Sequence, residues 1–397
     1  MATTNGTAPV QSSPGVFKRL FLGGLIFQSV AIGGAYATGR ESVEYAARFG
    51  PQGWLSVLAT FAILTVFAFL VFELCRKYQI FDYRSLLKLL VGPAHWLYDL
   101  LYLMLGLTIV GVLISAAGNI MHDTLGIPSW VTSVALVVIV AVVLFYGQEL
   151  MEKFNSTGTI LLTAGFVLFA VLVLSTRADE MVETMTSGAP PLNPESTLWD
   201  TIRSGLVYGA LYLVIFPSSM PASRYKRSRS DAAWAAFNLG WLIAVPLFLT
   251  FFSLMSFYPD ADVMESPIPW LSMLSGYGNW VVVVFGLLVG WTLLATAVGL
   301  IQGSLTRISV NLEDFGRRPL SARTRGITAV VVLVAALLIS RLGIIDLVAQ
   351  GYTAGAYGML IIFGLPLLTR GVYLIFFKDR ALVRRGSGKG TDTRPAS

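Results

Sequence analysis

A chain of 397 residues that is 55% hydrophobic and only 13% charged, with a mean hydropathy of +0.71, lies well outside the composition of a soluble domain and reads as an integral membrane protein. The net charge of +6 would suit nucleic acid, but the Lys and Arg residues sit in loops between apolar runs, which excludes a nucleic-acid partner in favour of a bilayer orientation signal. One cysteine, Cys75, permits no internal disulfide, and the two histidines, His95 and His122, stand without a Cys or Asp cluster, which argues against a metal centre.

Residues 1 to 16, MATTNGTAPVQSSPGV, are uncharged and rich in Thr, Ser, Gly and Pro; they do not resemble the basic start of a signal peptide and are expected to form a disordered tail. Ten apolar runs of about 20 residues follow, each a candidate span. The first, 18 to 48, and the second, 54 to 75, lead to a short amphipathic piece, FDYRSLLKLLVG, expected to lie along the membrane surface. Pro93 opens the third span, which ends near Asn119 to Asp123; the fourth runs from 128 to 147 and the fifth from 154 to 175. A polar stretch, TRADEMVETMTSGAPPLNPESTLWD, is the clearest boundary in composition and reads as the seam between two halves. The sixth span is 201 to 222, the seventh 232 to 257 and, past an acidic loop, the eighth 279 to 304. The ninth, 326 to 341, and the tenth, 347 to 370, precede a basic tail. The expected domains are thus a tail, 1–16; a transmembrane domain, 17–377, made of repeats 17–175 and 200–377; and a basic tail, 378–397.

Placing the N-terminus in the cytoplasm puts all but five of the 28 basic residues on that side, the exceptions being Arg40, Arg48, Arg177, Arg203 and Arg341. Both termini are then cytoplasmic, as an even number of spans requires. Five spans per half is odd, so the second half runs through the membrane upside down relative to the first. That is the arrangement of inverted-repeat transporters, whose substrate sits at the midplane between discontinuous helices.

The stretch Gln28 to Glu44, QSVAIGGAYATGRESVE, gathers helix breakers and charges inside the first span. Gly33, Gly34 and Gly39 each weaken a helix by about 1 kcal/mol relative to alanine, and Arg40, Glu41 and Glu44 follow. Lipid solvates neither a broken backbone nor a charge, so the stretch reads either as a small-residue packing surface or as a ligand-facing discontinuous helix. Its counterpart, GLVYGALYLVIFPSSMPASRY, carries Pro217 within the apolar run, which removes one backbone donor and predicts either a kink or a true break.

The run Ile32 to Glu41, apolar-Gly-Gly-Ala-Tyr-Ala-Thr-Gly-Arg-Glu, with Gly50 after it, resembles the opening of the YkvI-like family of bacterial membrane proteins, which is in turn similar to the amino acid, polyamine and organocation transporters of LeuT-type fold. Tyr36 replaces an expected Phe, and Tyr212-Leu213-Val214 lacks an expected Asn. The resemblance implies an all-α protein of ten transmembrane helices in a five-plus-five inverted repeat, with helices 1 and 6 discontinuous. It implies an unwound Gly33, Gly34, Ala35, Tyr36 and Thr38 at the substrate, faced by Tyr208, Tyr212, Ser218 and Ser219, with Ser115 and Asn119 completing the site. An ion site for Na⁺ would comprise the Ile32 carbonyl with Thr292 and Thr296, four apart on one helix face. Each of these hydroxyls can equally bond back to its own backbone. An outer gate would comprise Arg40, Glu41 and Asp346, with an Arg40 to Glu44 pair on one helix face as the rival arrangement. Glu73, Asp99, Glu149 and Lys153 fall at helix ends, where snorkelling or local pairing accounts for them.

The function these features imply is an ion-coupled symporter of a small polar solute such as an amino acid or related amine or carboxylate, resident in the cell membrane and driven by Na⁺ or H⁺. The alternative is a non-transporting receptor or sensor on the same fold. No nucleophile, base and orienter can be assembled, which speaks against an enzyme, and the residues imply no cofactor beyond a coupling ion.

Overall fold

The computed structural model describes residues 15–31, 34–146 and 163–378, which are helix and turn with no strand among them. The first apolar segment is interrupted. Helices α1 (Val16–Leu20) and α2 (Leu22–Ala31) are followed by a 3₁₀ turn over Gly34–Thr38 and then by α3 (Arg40–Tyr45). Between turn and helix, Gly39 sits at φ +83°, a conformation that costs any residue with a Cβ about 1–2 kcal/mol. A Cβ there would also stand 2.9 Å from Cδ1 of Trp270.

A second 3₁₀ turn, Ala47–Gly53, leads into α4 (Trp54–Tyr78). The amphipathic piece is α5 (Tyr83–Val91), started by the Asp82 carboxylate, which accepts from the Ser85 amide, and it buries Leu86, Leu87 and Leu90. After a turn at Gly92–His95 come α6 (Trp96–Leu125), α7 (Ser129–Tyr146) and α8 (Thr163–Thr176). The polar seam carries a short helix, α9 (Ala178–Thr186), ahead of α10 (Leu198–Leu211). Thr197 and Asp200 start α10 with a reciprocal capping box. The turn Tyr212–Val214 and helix α11 (Phe216–Ser219) follow, then a 3₁₀ turn over Met220–Tyr225, and the axis bends by 58° across Ile215. Pro217 therefore marks a sharp bend, in the segment where sequence allowed either a kink or a break.

Helix α12 (Arg229–Met255) is followed by two loop helices, α13 (Ala261–Met264) and α14 (Pro269–Leu274), and by α15 (Asn279–Asp314) and α16 (Ala322–Ile339). The last span begins at α17 (Ile344–Asp346) and continues through α18 (Thr353–Met359) to α19 (Val372–Phe376), with π turns at Leu347–Tyr352, Leu360–Gly364 and Leu367–Gly371. Helix α15 runs ten residues beyond the expected end at 304, because the Arg307 charge that closes the apolar run is neutralised inside the protein.

Among the described residues six helices are long and apolar enough to cross a bilayer, the bent pair makes a seventh, and α2, α7 and α8 are shorter apolar helices. The chain is accordingly a multi-pass membrane protein. Its frame is the packing of α4 against α10 and α12. Gly205 lets α10 reach α4 so closely that a Cβ would lie 2.0 Å from the Ser56 carbonyl oxygen. Thr60 ties the two backbones by donating to the carbonyls of Ser56 (2.9 Å) and Gly205 (3.0 Å).

Candidate functional site

Beside this frame lies a cavity of about 1390 Å³. Its walls come from α2, α6, α8 and α15, from both sides of the bend after α10, and from Tyr352 in the first π turn; Glu41 reaches it from α3. Most of the lining is apolar, and its polar residues include Gln28, Ser29, Glu41, Tyr212, Ser218, Thr292 and Thr296.

Glu41 is buried, and its Oε2 accepts a 2.5 Å hydrogen bond from the Tyr208 hydroxyl. That hydroxyl lies 2.8 Å from the Tyr212 hydroxyl. The Tyr208 ring stacks on Tyr45 at 4.6 Å between centroids. Tyr45 in turn donates to the Val348 carbonyl (3.3 Å) and meets the Thr353 hydroxyl (3.1 Å), fastening α3 to the π turn. Spacing produces the pair, since Tyr208 and Tyr212 are four apart on α10 and its following turn and so share a face.

Arg40, one residue earlier, points elsewhere. Its Nη1 donates to the carbonyls of Met264 (2.7 Å) and Ser266 (3.3 Å), at the loop after α13, and its Nη2 lies 3.6 Å from Glu44. Glu44 also pairs with Arg48. Asp346 is exposed and makes no ion pair with Arg40. Of the arrangements read from sequence, this structure contains the local Arg40–Glu44 contact, and adds two backbone acceptors that no spacing could have announced. Glu41, expected beside Arg40 at a gate, faces the cavity instead, because Gly39 resets the chain direction and successive helical residues point about 100° apart.

The bend after α10 frees carbonyls at Leu213 and Val214, and both accept from the Tyr98 hydroxyl of α6, at 3.0 and 2.9 Å. The next residue, Asp99, is buried and receives Arg307 (2.9 Å), Arg84 (3.3 Å) and the Asn311 amide (3.0 Å), with Tyr83 donating at 2.9 Å. The Arg307 guanidinium rests 3.8 Å from the Tyr102 ring centroid and 4.2 Å from that of Tyr83. Two more ion pairs join distant segments, Arg19 with Asp231 (2.6 Å) and Arg229 with Glu73 (3.1 Å), and Glu73 also pairs locally with Arg76 (2.8 Å). Asp99 and Glu73 thus do more than the local pairing foreseen for helix ends.

The expected substrate residues distribute unevenly. Tyr212 and Ser218 line the cavity, while Tyr208 stands behind it, holding Glu41. Ser218 donates to the Ile215 carbonyl and Ser219 to that of Phe216, so both hydroxyls bond back to their own turn, and Ser219 is wholly buried. Tyr36 packs against Phe166, with ring centroids 6.2 Å apart, and the Thr38 hydroxyl accepts from the Arg40 amide. Ser115 and Asn119 do not line the cavity, which α6 reaches through Tyr102 and Ile109; they lie six and ten residues further along, about 9 and 15 Å by helical rise. Thr292 and Thr296 do line it, and Thr292 donates to the Leu288 carbonyl. Gly34 and Ala35 belong to the 3₁₀ turn. Ile32, Gly33, Glu149 and Lys153 lie outside the described residues. Sequence reasoning missed Tyr98, Tyr102 and Tyr352; the four-residue spacing of Tyr98 and Tyr102 was the one available signal, and for Tyr352 there was none.

No family model matches the chain. It is 22% identical over 267 residues, 66% of its length and 74% of the relative's, to the uncharacterized membrane protein YkvI of Bacillus subtilis (strain 168). It superposes on a Na⁺-coupled sialic acid symporter in a substrate-bound outward-open state with a TM-score of 0.61, at 13% identity, covering 90% of this chain and 79% of that one. It superposes also on the manganese transporter of Eremococcus coleocola, in complex with an aromatic bis-isothiourea substituted compound, with a TM-score of 0.53 at 14% identity, covering 93% and 83%. The resemblance read from the opening stretch is met: the chain is a homologue of YkvI with the LeuT-like fold of these ion-coupled transporters.

Proposed function

We propose that this protein is a secondary active transporter, an ion-coupled symporter that moves a small polar solute, such as an amino acid or a related amine or carboxylate, by alternating access. The observation that carries this reading is the cavity of about 1390 Å³ bounded by both interrupted segments at once. In transporters built from repeated halves, discontinuous helices meet at the substrate because their unwound turns free backbone groups to bind it. The interruption after α2 and the 58° bend after α10 fall in the first span of each proposed half, which supports ten spans in two inverted sets of five. In this reading the chain resides in the cell membrane with both termini cytoplasmic.

Sodium is the coupling ion we favour. Thr292 spends its one hydroxyl hydrogen on the Leu288 carbonyl, which leaves its oxygen lone pairs for a cation, and Thr296 lies one turn away on the same wall. The likeness to a Na⁺-coupled symporter supports the same choice. The backbone of Ile32 to Thr38 would supply the remaining ligands for ion and solute. An Arg40–Asp346 gate belongs, in this reading, to a closed state in which Arg40 leaves the carbonyls of Met264 and Ser266.

Uptake into proteoliposomes of a radiolabelled mixture of amino acids and amines, with imposed Na⁺ or H⁺ gradients, tests the proposal. Gradient-driven accumulation is the expected result; equilibration indifferent to either gradient would refute ion coupling. Cysteine labelling tests the topology: residue 230 should react only from the cytoplasmic side.

A further inference from the structure

Glu41 is the one formally charged side chain that lines the cavity, among the described residues. A carboxylate offers about four lone-pair sites, and here one hydrogen bond is made, from Tyr208 to Oε2. No Lys, Arg or His contributes to the cavity wall, and Glu41 forms no ion pair among the described residues. Its neighbours Arg40 and Glu44 are engaged with each other and with the loop after α13. A carboxylate left that way at membrane depth is costly, and such groups persist where a partner or water compensates them. The cavity is also lined by four aromatic residues, Tyr102, Tyr212, Tyr352 and Trp291, a residue class that accommodates organic cations. Much of the remaining wall, from residues such as Leu25, Val167 and Leu300, is apolar.

We infer that Glu41 receives the ammonium group of the solute, and that the solute is an organic amine whose hydrocarbon or aromatic body fills the apolar part of the cavity. This inference rests on the reading of the cavity as a solute site and narrows it: of the classes named above, the amine has a partner in the wall, while a free carboxylate meets only Glu41's own negative charge. A bare divalent cation is a poorer match, since it asks for six or more oxygen ligands around one centre, and among the described residues no three His, Cys, Asp or Glu side chains converge. The Tyr208 bond goes to Oε2 alone, and no hydrogen bond to the second oxygen is made among the described residues.

The test is binding to the purified full-length protein in lipid nanodiscs, measured by calorimetry with three matched pairs: 2-phenylethylamine and 2-phenylethanol, cyclohexylmethylamine and cyclohexylmethanol, hexylamine and hexanol. At least one amine should bind, and more tightly than its alcohol. Glu41→Gln keeps an oxygen to accept from Tyr208 and removes only the charge; it should weaken that amine roughly 30-fold or more while leaving the alcohol unchanged. Glu41→Asp should retain part of the preference. Equal binding of amine and alcohol, no binding by any amine, retention of amine binding in Glu41→Gln, or Mn²⁺ binding that depends on Glu41 in place of an amine would each overturn the inference. The two readings fail separately: Glu41-dependent amine binding without uptake in proteoliposomes refutes the transporter, whereas uptake of an anionic or neutral solute that is unaffected in Glu41→Gln refutes the amine site alone.

Discussion

In the first interrupted segment the described part of the turn draws on the segment's own residues. Gly39 supplies the left-handed conformation, Thr38 accepts from the Arg40 amide, and Arg40 and Glu41 then point in different directions, one to the loop after α13 and one into the cavity. In the second, a residue from another helix does the work: Tyr98 of α6 donates to both carbonyls that the bend at Ile215 exposes, and the serines beside Pro217 close the turn locally. A segment that stabilises its own turn keeps its shape when neighbours move. One whose carbonyls are satisfied from outside is shaped by the position of the helix that supplies the donor. The difference predicts a charged, cavity-facing wall that holds its shape in the first segment and one that follows α6 in the second.

The strongest way to break this comparison is at Gly39. Gly39→Ala places a Cβ in the left-handed region and 2.9 Å from Trp270, and should destabilise the protein by about 2–5 kcal/mol, the sum of backbone strain and overpacking. Denaturant unfolding in nanodiscs measures it; a loss below about 0.5 kcal/mol, within the range of a neutral substitution, would mean the turn is not intrinsic to the segment. Next is Tyr98→Phe, which keeps the ring and strips the donor from two buried carbonyls, at a cost of about 1–3 kcal/mol. Proteolysis near Met220–Tyr225 should accelerate in this variant, while the Gly39 region stays protected. An unchanged cleavage rate would show that the second bend, like the first, holds itself. The smallest structural effect belongs to Thr296→Val, a volume-conserving change on the wall between the two segments. Stability should stay within about 0.5 kcal/mol, while the apparent affinity for Na⁺ falls roughly tenfold for the loss of about 1.4 kcal/mol of coordination. Undiminished Na⁺ dependence in uptake would move the ion elsewhere.

The frame was legible because lipid imposes long apolar helices and punishes breakers, so Gly33-Gly34, Gly39 and Pro217 stood out against their surroundings. Arg40 and Glu41 were legible as charges beside a break, but the direction each takes was not, since a single residue at positive φ rotates everything after it. The Asp99–Arg307 pair was invisible for a different reason: 208 residues separate its members, and each alone looks like a charge at a helix end. For the same reason α15 looked shorter than it is. Ser115 and Asn119 were implied by the resemblance, and in this structure they lie six and ten residues beyond Ile109, past the part of α6 that lines the cavity. Tyr98 was hidden because a phenol bonding to another helix's carbonyls leaves no mark in its own segment.

Tyr98 and Asp99 are adjacent, and between them they hold two different parts of the protein: the bend after α10 and the last turns of α15. Pulling the bend away from α6 releases a hydroxyl; pulling α15 away parts Arg307 from the Tyr102 ring and the Asp99 carboxylate. The first turn of α6 therefore behaves as an interlock. If it follows the bend, the α15 bonds are strained, and if it follows α15, the bend loses its donor, so intermediate positions are penalised from both sides. Moving either element relative to α6 therefore means breaking the bonds made at this one helical turn.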